Sequence, residues 1–190
     1  MGAVHSINGL TYVHDYITAE QQQQLLQHID EQPWLSDLKR RVQHYGYRYD
    51  YRHRAIDSTL HLGPLPDWVM WLAEQLCTDH LVSHIPDQLI INEYEPGQGI
   101  ASHIDCVPCF DDTILSISLG STCVMDFTAT SSPAHLPLLL EPGSLVVMRD
   151  GARYHWKHGI AKRKHDIYNG QKMERGRRVS LTFRKVILEQ

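Results

Sequence analysis

No apolar run in this chain approaches the roughly 20 residues that cross a bilayer as a helix, so a membrane span of that kind is excluded. There is no internal repeat and no low-complexity tract, which removes solenoids, propellers and long disordered linkers. Cysteine is scarce. Cys77, Cys106, Cys109 and Cys123 follow an N-terminus without a secretory pattern, so a disulfide-stapled secreted scaffold is excluded and a reducing cytoplasm is the expected setting. The pair Cys106-Val-Pro-Cys109 lacks the second pair that a zinc site needs and does not open a thioredoxin-like helix. Lysine and arginine are missing altogether from residues 1–38 and 55–148.

All eighteen bases therefore fall in two windows, 39–54 and 149–185, where they face only Asp50, Asp150, Asp166 and Glu174. The net charge of −4 hides this segregation. Positive segments of this density make an electrostatic face for a polyanion such as nucleic acid; the bland alternative is that they pair with the acidic segments inside the fold. In the first window Tyr45, Tyr47, Tyr49 and Tyr51 alternate with the cations. Cations on phosphate and rings against bases are a common way to hold a strand, although alternating tyrosine is also an edge-strand pattern.

With 190 residues and 42% apolar content, the chain can fill one sizeable core, and residues 1–190 read as a single domain. The capping-box spacing Thr18-x-x-Gln21, followed by Leu25, Leu26 and Ile29, predicts a helix from Thr18 to Glu31. Trp68, Trp71, Leu72 and Leu76 predict a second helix over Asp67 to Leu76, with both tryptophans used for packing. From Leu89 to Val186 the pattern is mostly strands. The expected class is α+β, mainly β: a jelly-roll core over about 89–187, braced by N-terminal helices within about 1–88.

His-x-Asp occurs twice. His28-Ile-Asp30 lies on the first helix, where residues two apart point to nearly opposite sides and cannot share a metal. His103-Ile-Asp105 follows the turn Glu95-Pro-Gly-Gln-Gly99; if extended, its imidazole and carboxylate share a face, as metal ligands or as an ordinary polar strand end. Two nitrogens and one carboxylate on an iron leave open coordination positions, the arrangement of oxygen chemistry. Downstream, Val179, Leu181 and Phe183 alternate with Arg178, Ser180, Thr182 and Arg184, the signature of a half-buried strand. Its two arginine Cα atoms are roughly 20 Å apart, so their planar forks could lean together over a small dicarboxylate.

Taken in order, Asn92-Glu-Tyr94-Glu-Pro-Gly97, His103-Ile-Asp105, Ser116-Ile-Ser-Leu-Gly120, Trp156-Lys-His158-Gly-Ile160 and Arg178-Val-Ser-Leu-Thr-Phe-Arg184 resemble the AlkB family of iron(II)- and 2-oxoglutarate-dependent dioxygenases. The resemblance implies a double-stranded β-helix core, with Fe(II) held by His103, Asp105 and His158 as the catalytic centre. It further implies 2-oxoglutarate held by Asn92, Tyr94, Arg178, Ser180 and Arg184, and O2 as the oxidant. The window 39–54 is similar to the family's nucleotide-recognition lid, which makes Arg41, Tyr45 and Tyr47 the expected substrate contacts. The expected reaction is oxidative dealkylation of alkylated nucleobases in DNA or RNA, without an obligate protein partner or a membrane. Hydroxylation of a modified wobble uridine in tRNA is the nearest alternative, since the wording Asn92 to Ile100 and Val124 to Phe127 is most similar to that branch. A protein-directed hydroxylase and a non-catalytic binding module are the remaining alternatives. Val107 stands where the well-known bacterial member has an aspartate that meets the base's amino group, which favours a larger adduct or a modified uridine.

Overall fold

The computed structural model describes residues 6–36 and 38–188. Two antiparallel sheets face each other in the expected jelly roll. The larger has six strands in the order β1 (Leu10–Val13), β8 (Leu145–Met148), β5 (Ile114–Gly120), β12 (Arg178–Arg184), β3 (Gln88–Tyr94) and β2 (Val42–Tyr45). The smaller runs β4 (Ile100–His103), β9 (Trp156–Ile160), β6 (Cys123–Ala129) and β7 (His135–Leu140). A separate hairpin pairs β10 (His165–Tyr168) with β11 (Gln171–Glu174).

Two helices cover the outer face of the larger sheet. α1 (Ala19–Glu31) starts with the anticipated box: the Gln21 amide donates to Thr18 Oγ1 at 3.2 Å, and the Thr18 amide donates to Gln21 Oε1 at 2.8 Å. α2 spans Asp67–Thr78. Leu25 and Ile29 of α1 and Leu72 and Leu76 of α2 form one core with Leu115, Ile117, Val179, Leu181 and Phe183 of the sheet. Each such large side chain contributes about 1.5–3 kcal/mol by leaving water. A second core lies between the sheets, built on Ile114, Val146, Met125, Phe127 and Ile160.

This layering changes one expectation. β12 sits between β5 and β3, so its polar face is covered too: Arg178 is 2% exposed, Ser180 4% and Arg184 9%. All of the strand but Thr182 is buried, and its arginines point between the two sheets. The sequence also gave no sign of β1, of β2 as a strand of the large sheet, or of the short α3 (Asp150–Tyr154). These are four or five residues long, too short for a periodicity to stand out.

Candidate active site

His103 and His158 are direct cross-strand partners on β4 and β9, which brings their rings to a 4.5 Å centroid separation. Gly159 allows the strands this close: a Cβ there would lie 2.9 Å from the backbone N of Ser102. Asp105, two residues past His103, turns back beneath both rings. Its Oδ1 is 3.2 Å from His103 Nε2 and 3.7 Å from His158 Nε2, and one ligand atom from each of the three lies within 4.8 Å of the others.

The protonation pattern suits a divalent cation. His103 Nδ1 is 2.8 Å from the Ala101 carbonyl, which can only accept, so that nitrogen carries the proton and Nε2 keeps its lone pair for the centre. Burial pushes His158 down to about 4, leaving it neutral at physiological pH. Burial acts to raise Asp105, but Arg184 and the two imidazoles together hold its carboxyl well below the usual range. Arg184 Nε takes Oδ2 of Asp105 at 2.8 Å, which leaves Oδ1 for a metal. Two neutral nitrogens and one carboxylate oxygen are a donor set that fits iron(II) with open positions.

Beside this centre lies a cradle for an anion. The inward face of the large sheet groups Arg178, Ser180 and Arg184 of β12 with Tyr94 and Asn92 of β3 and Ser118 of β5, because Arg178 pairs with Tyr94, and Ser180 with both Asn92 and Ser118. Arg178 donates through Nη2 to Ser118 Oγ at 2.9 Å and lies 5.4 Å from the centre of the Tyr94 ring. Its Nε and Nη1 are buried with no hydrogen-bond partner among the described residues. A buried guanidinium with two nitrogens lacking acceptors is costly unless a ligand supplies them, which the oxygens of a carboxylate can do. The five residues expected to hold 2-oxoglutarate therefore share one buried face.

The tyrosine window is arranged differently from its pattern. The alternation breaks at Gly46, which adopts φ +74° and leaves no room for a Cβ beside the Asp87 carbonyl. Tyr45 consequently packs edge-on against Trp68 in the helical layer, where burial pushes its phenol up to about 12, and Tyr47 packs on His61. Neither lines the pocket at the metal centre. Tyr49 and Tyr51 do, with Leu38, Arg40, Arg54, Cys106 and Phe110, around a volume of about 330 Å³. Arg41 lies outside the pocket lining: its guanidinium donates to both Glu93 oxygens, at 2.7 and 2.9 Å, and joins β2's entry to β3. The neighbouring Arg40 faces the pocket instead.

Two further features were not legible. Arg153, 2% exposed on α3, donates to the carbonyls of Asp105 at 2.9 Å and Cys106 at 3.1 Å, clamping the loop that carries the metal aspartate. Cys106 and Cys109 are joined by a disulfide, where the composition had suggested free thiols. Cys77 and Cys123 are free.

Comparison with known proteins agrees with this geometry. The family model described as 2OG-Fe(II) oxygenase superfamily matches residues 9–184. An uncharacterized protein of Acanthamoeba polyphaga mimivirus is 38% identical over all of this chain and 90% of its own length. The tRNA (carboxymethyluridine(34)-5-O)-methyltransferase alkbh8 of Xenopus tropicalis is 39% identical over 94% of this chain, which spans only 32% of that protein. The mouse alpha-ketoglutarate-dependent dioxygenase alkB homolog 7, mitochondrial, is 30% identical over 90% of this chain and 76% of its own. The solved structure of OsALKBH1 superposes with a TM-score of 0.68 over 93% of this chain and 98% of that one, at 14% identity, a likeness of fold. Matched by the family model across the jelly roll and its helices, and aligned over at least 90% of its own residues with AlkB homologues, the chain belongs to the 2OG-Fe(II) oxygenase superfamily, in its AlkB family, whose enzymes work with iron(II), 2-oxoglutarate and O2.

Proposed function

We propose that this enzyme oxidises an alkyl substituent on a nucleobase of DNA or RNA, in the manner of a repair dealkylase. The observation that carries the reading is the buried Arg178 guanidinium, whose Nε and Nη1 have no hydrogen-bond partner among the described residues, on the same sheet face as Arg184, which donates to Asp105. His103, Asp105 and His158 would hold iron(II), with Arg178 on the distal carboxylate of 2-oxoglutarate. Asn92, Tyr94 and Ser180 would line its chain, and Arg184 would balance charge at the metal end. When bound, iron and 2-oxoglutarate supply the oxidation of a C–H bond by O2, with succinate and CO2 released. The chain's own part is positioning and exclusion of water. Tyr49 and Tyr51, edge to face at 5.1 Å, form an aromatic wall of the pocket against which an extruded base can pack. Arg54, at the same pocket, suits a flanking phosphate.

One observation favours a modified uridine over methylated adenine or cytosine. Val107, 49% exposed on the loop after Asp105, offers no acceptor to an exocyclic amino group. The name of the frog relative, with its carboxymethyluridine at position 34, points the same way. The cytoplasm is the proposed setting, with Cys77 and Cys123 free although Cys106 and Cys109 are joined. The test is a mass-spectrometric screen of oligonucleotides bearing methyl, etheno and wobble-uridine substituents, run with iron(II), ascorbate and 2-oxoglutarate. A mass change on at least one base, matched by succinate, is expected; succinate release with no oligonucleotide altered would sink the nucleic-acid reading.

A further inference from the structure

One basic side chain lining the cleft belongs to neither β3 nor β12. Arg40 lies in the segment entering β2, at the near end of the basic, tyrosine-rich window. Its Nε donates to Asn92 Oδ1 at 2.8 Å, and its guanidinium carbon sits 5.9 Å from the centre of the Tyr94 ring, the ring that Arg178 also covers. Its neighbour Arg41 is satisfied by Glu93, but Arg40 forms no ion pair among the described residues and meets only a neutral amide oxygen. The pocket it lines holds Arg40, Arg54 and Arg184 against one acid, Asp105, which Arg184 already engages. A half-buried guanidinium with donors to spare, facing a cleft with excess positive charge, is arranged to receive an anion.

We infer that Arg40 is a further contact for the carboxylated co-substrate, supplied by the lid and not by the jelly roll. The inference rests on the reading of the cleft as a 2-oxoglutarate site. Its consequence is order. The dicarboxylate held by Arg178 anchors Arg40, and Arg40 anchors the segment from 38 to 56 that carries Tyr49 and Tyr51, so the base-binding wall is set once 2-oxoglutarate is in place.

The test uses the whole chain loaded with manganese(II) instead of iron(II), without oxygen, and reads 2-oxoglutarate affinity by calorimetry and backbone hydrogen exchange over 38–56. In the wild type, 2-oxoglutarate should slow exchange in that segment. Arg40→Gln should bind manganese as before, bind 2-oxoglutarate about ten-fold more weakly and lose the slowing, while Arg40→Lys recovers part of both. Equal or tighter 2-oxoglutarate binding by Arg40→Gln overturns the inference, and tighter binding would mean that Arg40 blocks the cleft. Arg178→Gln separates the two levels. If it abolishes binding and Arg40→Gln does nothing, only the role of Arg40 falls; if the wild type binds no 2-oxoglutarate, the functional reading falls with it.

Discussion

Arg153 illustrates how a single side chain can serve a centre it never touches. It is a cation buried among carbonyls, with burial pushing its pKa below the ordinary arginine value, and its N–H fork fixes the backbone on which Asp105 sits. Lysine keeps the charge but cannot span two carbonyls with a rigid fork. Arg153→Lys should therefore fold yet bind iron(II) about 10- to 100-fold more weakly, the usual cost of losing a group that orients a ligand. Metal titration of the folded variant checks this, and unchanged affinity would show that the loop holds its shape unaided. At this scale the sequence was legible where chemistry dictates spacing. The alternation Arg178 to Arg184 could be read because the strand period places residues two apart on one side, whereas Asp105 lies past the end of β4 and meets His103 from the loop. Arg153 could not, because its partners are backbone carbonyls, which leave no mark on residue identity. The tyrosines show the opposite failure: a regular pattern carried past Gly46, where the backbone turns and a two-residue period no longer describes which way a ring points.

Among the elements, the attachment of β2 is the point where lid and core meet. Glu93 on β3 receives Arg41 from the lid side and Arg177, at 2.7 Å; Arg177 in turn reaches Asp30 on α1. Burial works to raise the Glu93 carboxyl, but the two arginines more than offset it, so its pKa lies below the ordinary 4.5. The folded state thus favours the ionised form. Its stabilisation is complete above 4.5 and fades as pH falls through the lower folded value. Glu93→Gln should cost about 1–3 kcal/mol at pH 7. In urea melts, the gap between variant and wild type should narrow as pH drops below 4.5; a constant gap would show that the network contributes no charge-dependent stability. Both long helices and the central strand were legible from their periodicity, and the capping box fixed where α1 begins. The edge strands β1 and β2 were not, since short edge strands are selected by what they pair with.

Across the whole molecule, charge segregation divides into two uses. Arg41, Arg177, Arg184 and Lys185 are spent on ion pairs with the acidic segments, as the bland reading of the sequence would have it, while Arg163 and Arg175 pair with Asp166 of their own window. Lys39, Arg52, Arg54, Lys157, Lys162 and Lys164 are exposed and form no ion pair with a described residue. Lys157 lies on the strand that carries His158, Lys162 follows that strand, and Lys164 packs beside Gly97 in the turn before β4. Replacing all three with glutamine should weaken binding of a single-stranded oligonucleotide and reduce the slope of log affinity against log salt by about 2. Uncoupled 2-oxoglutarate turnover should stay the same. An unaltered slope would move the strand's path to the other basic window.

One iron would be held by three side chains, from β4, the loop after it and β9. The direct measurement is an anaerobic titration of the metal-free protein with iron(II), alone and with 2-oxoglutarate, beside the Asp105→Ala variant. One ion bound per chain, 2-oxoglutarate bound only once the ion is present, and both lost in the variant are the predicted results. Iron bound as tightly by Asp105→Ala as by the wild type would contradict the assignment.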